Sequence, residues 1–258
     1  MPRLNSYHLP PDLWPADAAP RVLLAGPEAR HLLGVLRAKP GDILRLFDGQ
    51  GRWGLFRLVA VSGKDKAELV AQSLELEPRP ASGLVLALGW NKSSRRDWLL
   101  EKAVELDALG LLFWQAARSQ GEPPASAKDS WREKCVQAAK QCGSAWLPDL
   151  GVVAGGVEGL VRVAAKPDGW YDGCYMLDEG APVDALPDPA SLAAGRNLVV
   201  IGPEGGLERR EAESLAQAGF KALSLGPRPL RWETAALYCL GLAHFAARTG
   251  RNPGSTCA

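Results

Sequence analysis

Ile201-Gly202-Pro203-Glu204-Gly205-Gly206-Leu207 follows a short apolar run, Leu198 to Ile201, and precedes a stretch with helical spacing, Glu208 to Ala218. A proline and three glycines between a strand and a helix predict a sharp turn. Its main chain can approach a ligand closely, and N–H groups stand free at the helix start. Leu225-Gly226-Pro227-Arg228-Pro229-Leu230-Arg231-Trp232-Glu233-Thr234-Ala235 repeats the arrangement, again from strand to helix, and adds two arginines, a carboxylate and a hydroxyl. Ligands of open α/β sheets bind outside the carboxyl ends of the strands, so the two loops read as two walls of one pocket. Neither loop has the spacing GxGxxG or GxxxxGK[ST], which argues against a dinucleotide or a P-loop nucleotide. A tight strand-to-helix connection, and a helix start capped by an Arg231–Glu233 pair, account for the same residues without any ligand.

Outward from these loops, residues 76–250 alternate strand and helix. Leu84 to Leu88, Leu111 to Trp114, Tyr171 to Leu177 and Ala222 to Leu225 are further apolar runs of strand length. A helix is expected from Ser94 or Arg95, with Trp98, Leu99, Ala103, Leu106 and Leu109 on its apolar side, and another from the capping box Ser130/Glu133. Arg231 to Ala247 forms the last helix. The alternation predicts parallel strands joined by crossover helices, an α/β domain. Residues 1–75 read differently: short strands at Ile43 to Phe47, Arg52 to Val61 and Ala67 to Ser73, turns at Lys39-Pro40-Gly41-Asp42 and Asp48-Gly49-Gln50-Gly51, and one small helix over Pro27 to Arg37. They predict a compact β-barrel. Glu75 to Ser82, with two prolines, is the expected linker, and the tail from Gly250 is expected to fray.

Composition sets outer limits. A length of 258 residues corresponds to roughly 1.7 typical domains. The hydrophobic fraction is 47% and the charged fraction 23%, which excludes a mainly disordered chain. Thirty basic against 29 acidic residues leave a net charge of +1, so no global field announces a polyanionic partner, although a local basic face remains open. Five cysteines without CxxC spacing, and only three histidines, imply reduced thiols and no metal site. No signal peptide and no membrane-length apolar run is present, so a cytoplasmic protein with no membrane partner is expected.

"IGPEGGLERRE" followed by "LSLGPRPLRWETAA" resembles the signature of the SPOUT RNA methyltransferases, and within them the RsmE-type family. The likeness spans nearly the whole chain: Met1-Pro2-Arg3 at the start, then His31 with Val35-Leu36-Arg37 and Gly41-Asp42. Lys92, Trp98, Lys102, Glu105, Leu106 and Arg118-Ser119 follow, then Trp131, Ala138-Ala139, Gln141 and Pro148. The resemblance implies an N-terminal PUA-like β-barrel and a C-terminal SPOUT-type parallel sheet with a trefoil knot. It implies a homodimer with the active site at the subunit interface. It also implies S-adenosylmethionine as cofactor and methylation of N3 of a uridine in small-subunit (16S) ribosomal RNA, free or within the 30S subunit. The expected cofactor-binding residues are Leu177, Ile201, Gly202, Pro203, Glu204, Gly205, Gly206, Leu225, Gly226, Leu230 and Thr234. Arg3, Arg37, Lys39, Lys92 and Arg118 are expected on RNA. The chain departs from the family pattern at Asp107, where a glycine is usual, at Leu207, Pro229 and Trp232, and at Ser144, where an arginine is usual.

Uridine N3 is weakly acidic, so methyl transfer needs charge stabilisation as the proton leaves. No histidine lies in either loop, and Arg231 is the candidate to stabilise the developing anion, with Glu233 and Thr234 positioning it or the cofactor. Two other functions fit the same residues: a SPOUT methyltransferase acting on another RNA such as tRNA, and a non-catalytic RNA-binding ribosome-assembly factor. Intact glycine loops favour a working cofactor site over the second of these.

Overall fold

The computed structural model describes residues 4–15, 21–92, 94–165 and 170–249. The chain divides into two compact units, one of Met1–Arg79 with Val136–Leu147, the other of Pro80–Cys135 with Pro148–Ala258.

The first unit is a curled mixed sheet. Its strands β1 (Ser6–His8), β2 (Arg21–Ala25), β3 (Ile43–Phe47), β4 (Arg52–Ser62) and β5 (Lys66–Leu76) lie in the order β1-β3-β4-β5-β2, with β1 parallel to β3 and the other pairs antiparallel. Among the described residues β1 and β2 are not paired, so the sheet curls without closing. Two register shifts between β4 and β5 supply curvature. Alternation along the strands puts Val22, Leu24, Leu44, Leu46, Phe56, Leu58 and Leu69 into one core with Tyr7 and Leu32. The Asp48 turn is held as expected: its fully buried carboxylate accepts from the N–H groups of Gln50 (2.7 Å) and Arg52 (3.0 Å) and from Arg52 Nε (2.6 Å). The helix expected over Pro27 to Arg37 is shorter and irregular. Helix α1 covers Gly26–Arg30, and a wider turn closed by Leu36 N–H on His31 O follows it. Arg37 then reverses the chain in the left-handed region at φ 54°.

The second unit holds a six-stranded parallel sheet among the described residues. Its strands are β6 (Gly83–Gly89), β7 (Gly110–Trp114), β8 (Asp149–Val153), β9 (Gly173–Leu177), β10 (Arg196–Ile201) and β11 (Lys221–Leu223), in the order β11-β9-β10-β6-β7-β8. The connecting helices are α2 (Arg96–Glu105), α3 (Asp129–Cys142), α4 (Gly156–Ala164), α5 (Pro189–Ala193) and α6 (Arg209–Gln217), and α7 (Trp232–Thr249) follows the last strand. Helices α4 and α6 pair with each other, and α7 packs with α2 and α5. Helices on both faces explain why the central strands read as unbroken apolar runs: Leu84 to Leu88 and Leu198 to Ile201 are buried throughout. Each buried Leu, Val or Ile there contributes about 1.5–3 kcal/mol.

Helix α3 is shared, because its second half belongs to the first unit. There Lys140 Nζ meets both carboxylate oxygens of Glu28 at 2.9 Å. Ser130 lies inside α3, not at its cap, since the helix begins at Asp129. The buried side of α2 is Leu99, Leu100, Ala103 and Val104, and Trp98, expected on that side, is 38% exposed. Asp107 ends the segment after α2 in the left-handed region, φ 56°, the conformation the usual glycine would adopt, and His244 Nδ1 stands 3.2 Å from its Oδ2.

Candidate functional site

The carboxyl ends of β9, β10 and β11 open onto a cavity of about 410 Å³. Leu177, Ile201 to Gly206, Leu225, Gly226 and Leu230 line it, so ten of the eleven expected cofactor residues come together in one place. Thr234 does not join them: it is exposed on the first turn of α7, and Trp232 and Ala235 line the wall instead.

The cavity's back wall is main chain. Gly206 N–H donates to Pro203 O at 2.8 Å, closing the turn, and Gly206 has φ 71°, where a side chain would be strained. A Cβ on Gly202 would stand 2.9 Å from the backbone of Gly206 and Leu207. One on Gly89 would stand 2.5 Å from Pro203 N and 2.8 Å from Gly202 C. Gly89 is the last residue of β6, the strand beside β10. After β6 the chain proceeds to β7 on one side, and after β10 to β11 on the other. This is the topological switch point where ligands of such sheets bind. The sequence held one sign of Gly89, a glycine ending an apolar strand, which marks close backbone approach.

Helix α6 is fixed by a capping box in which Glu211 accepts from Glu208 N–H at 2.8 Å. The other oxygen of Glu211 accepts from Ala117 N–H at 2.8 Å, which ties α6 to the segment after β7. That segment carries Arg118, whose Nη1 donates to Gly205 O at 2.7 Å and whose side chain lines the cavity. Arg118 was expected on RNA; here it braces the glycine turn. Asp178, at the end of β9, and Ser224, after β11, add polar lining.

A second cavity, of about 760 Å³, adjoins the first. Glu204, Pro229, Leu230 and Trp232 line both. The remaining walls of the second are Asn91, Lys92, Ser94, Arg95, Gln120, Arg231 and Glu233. Arg231 and Glu233 thus face this second space, beside the first and not within it. The Arg231–Glu233 pair, the alternative to a catalytic Arg231, is absent among the described residues. Glu233, with only 9% of its side chain exposed, lies 3.6 Å from Arg95 Nε across to the start of α2. Lys92, expected on RNA, lines the same cavity. Arg37 and Lys39 are exposed on the first unit, and Arg3 lies outside the described residues. Arg96, next to Arg95, stacks on Trp90 at 3.9 Å and donates to Asn91 O, which anchors the loop that enters α2; burial pushes its guanidinium down. Among the described residues no group of histidines, cysteines and carboxylates is arranged to hold a metal ion.

Residues 77–244 match the family model described as an RNA methyltransferase domain, and residues 24–72 match that of an RNA methyltransferase PUA domain. The chain is 34% identical over 233 residues to ribosomal RNA small subunit methyltransferase E of Mycobacterium bovis, which covers 87% of this chain and 86% of that protein. It is 30% identical to the protein of the same name in Bacillus subtilis, over 89% of this chain and 91% of the other. A solved ribosomal RNA small subunit methyltransferase E from Neisseria gonorrhoeae, bound to S-adenosyl methionine, superposes with a TM-score of 0.74 at 25% identity. That likeness covers 93% of this chain and 96% of the other.

Proposed function

Because the chain belongs to the RNA methyltransferase family of ribosomal RNA small subunit methyltransferase E, we propose that it methylates N3 of a uridine in 16S ribosomal RNA, using S-adenosylmethionine. The observation that carries the reading is the pair of adjoining cavities with a shared wall. One has a back wall of main chain in which a Cβ on Gly89 or Gly202 would collide, and the other is lined by side chains that are mostly polar or charged. The first suits a compact cofactor held by backbone groups. Residues Leu177, Ile201 to Gly206, Leu225, Gly226 and Leu230 would hold it, with Arg118 bracing the turn. Bound there, the cofactor supplies an electrophilic methyl group on a sulfonium.

The second cavity suits the target nucleotide. Arg231, exposed and two residues before buried Glu233, stands on its wall with no ion pair among the described residues. It is thereby available to an anion developing on a base carbonyl. Lys92 on the same wall, and on the first unit the exposed Arg37 and Lys39, are the side chains we assign to phosphates. A homodimer with the family's knot completes the proposal. Tyr238 and Phe245, exposed two turns apart on α7, are the apolar side chains we assign to a second copy. The place of action would be the cytoplasm, and no helix among the described residues is long and apolar enough to cross a membrane.

Nucleoside mass spectrometry of 16S rRNA from a deletion strain tests the reading. Loss of 3-methyluridine, restored by the gene, is expected. An unchanged rRNA with a lost tRNA modification would transfer the protein to another substrate.

A further inference from the structure

We propose that Glu233 reads and takes the N3 proton of the target base, held for that task by Arg95; this rests on the uridine-N3 reading above. Glu233 is a carboxylate placed in the first turn of α7, almost wholly withdrawn from water, with its remaining exposure on the second cavity. Its Oε1 lies 3.6 Å from Arg95 Nε, a loose ion pair that leaves the other oxygen for a donor. The charged groups that line the same cavity are Arg95 from the start of α2, Lys92 from the loop before it, Arg231 from its own loop, and Glu204 from the glycine turn. A carboxylate facing a cavity with three cations on its wall offers oxygen acceptors and no donor.

An acceptor at this position distinguishes the pyrimidines. Uridine presents an N–H at N3, which a carboxylate accepts. Cytidine presents a lone pair there, which a carboxylate repels. A buried site built for one hydrogen-bonding pattern rejects the other strongly, because its own group is left unpaired. In the reaction the N3–H bond breaks and an O–H bond forms on Glu233, while the N3 electron pair takes up the methyl group. The pair that bound the methyl stays on the cofactor's sulfur. The proton then leaves to water through the open second cavity. Arg231 stabilises charge on a neighbouring carbonyl, so the two residues divide the work between proton and anion.

The test uses the full-length protein with RNA fragments carrying uridine or cytidine at the target position. Without cofactor, the wild-type protein should bind the uridine RNA roughly 10-fold more tightly than the cytidine RNA, the scale of a hydrogen bond to a charged group. Glu233→Gln should abolish that preference, because an amide can also donate. With cofactor, Glu233→Gln should lower the single-turnover rate by about 10²-fold or more. The residual rate should rise with pH as N3 ionises in solution, and cofactor affinity should stay constant. Arg95→Ala should give a smaller loss in the same direction, and Arg95→Lys should restore part of it. An undiminished uridine preference, or a wild-type rate and pH profile in a folded Glu233→Gln protein, would overturn the inference. Mass spectrometry of the wild-type product separates the two layers: a product other than 3-methyluridine defeats the substrate reading itself, whatever Glu233 does.

Discussion

Arg231 and Glu233 lie two residues apart, and pairing them is the natural reading of a sequence, yet Glu233 meets Arg95 while Arg231 makes no ion pair among the described residues. That difference makes a prediction. A helix-start ion pair would couple the two in stability, whereas here Arg231→Ala should leave the thermal midpoint and cofactor affinity nearly unchanged. It should lower single-turnover methylation by roughly 10²-fold or more, as expected for one preorganised charge partner. Arg231→Lys should recover only part of the rate, since an ammonium lacks the planar fork. A near wild-type rate in a folded Arg231→Ala protein would remove the residue from the chemistry. Glycines make a second prediction at this scale. At Gly89 an added methyl meets the backbone of Pro203, which cannot yield without moving the turn. Gly89→Ala should therefore cost about 1–3 kcal/mol in denaturant unfolding and abolish cofactor binding in calorimetry. At Gly205 the nearest atoms, at 3.3 Å, belong to the Arg118 side chain, which can swing aside. Gly205→Ala should bind cofactor measurably, and equal loss at both positions would contradict the backbone-wall account.

Between elements, the decisive contacts are long in sequence and short in space. Glu211 caps α6 and, 94 residues away, holds Ala117. Glu211→Ala should destabilise the protein by about 1–2 kcal/mol, combining a lost cap with the lost hydrogen bond from Ala117 N–H. It should also weaken cofactor binding, because Ala117 precedes the arginine that braces the turn. Urea unfolding with calorimetry on the same sample would check both, and intact affinity in the destabilised variant would show that Arg118 keeps its place unaided. The two glycine loops were legible from sequence because turn chemistry is local: proline sets φ, glycine permits the left-handed region, and an apolar run on one side and helical spacing on the other fix the ends. Strands β6, β7 and β10 were legible for the same kind of reason, as unbroken apolar runs. The Arg95–Glu233 pair, the Gly89 contact and the Glu211 link were not, since nothing at either position names a partner a hundred residues away. Strand β8 and helices α4 and α5 also escaped: Asp149-Leu150-Gly151-Val152-Val153 and the glycine-opened α4 carry weak propensity and gain their form from the sheet beside them. Trp98 was misplaced because an aromatic at helical spacing suits a core and an exposed apolar face equally well.

On the scale of the whole chain, the two units are not separated by a single cut. Val136–Leu147 belong with the first unit although α3 begins in the second; Ala139 is fully buried, and Lys140, next to it in sequence, pairs with Glu28. A truncated chain starting at residue 80 would strip that half-helix of its packing. It should melt at a lower temperature than the full protein, retain cofactor binding once folded, and lose most of its affinity for rRNA. Gel-shift titrations with the folded truncated chain would check the last point, and undiminished binding would place RNA recognition wholly in the second unit. The two cavities share a wall but differ in what they are made of, and mutation acts on them unequally. Main chain cannot be exchanged by altering a codon, whereas Lys92, Gln120 or Ser94 can be replaced one at a time with the scaffold intact. Drift over generations can thus revise which nucleotide is accepted while the methyl donor's berth stays as it was, so that a lineage inherits the cofactor and renegotiates the substrate.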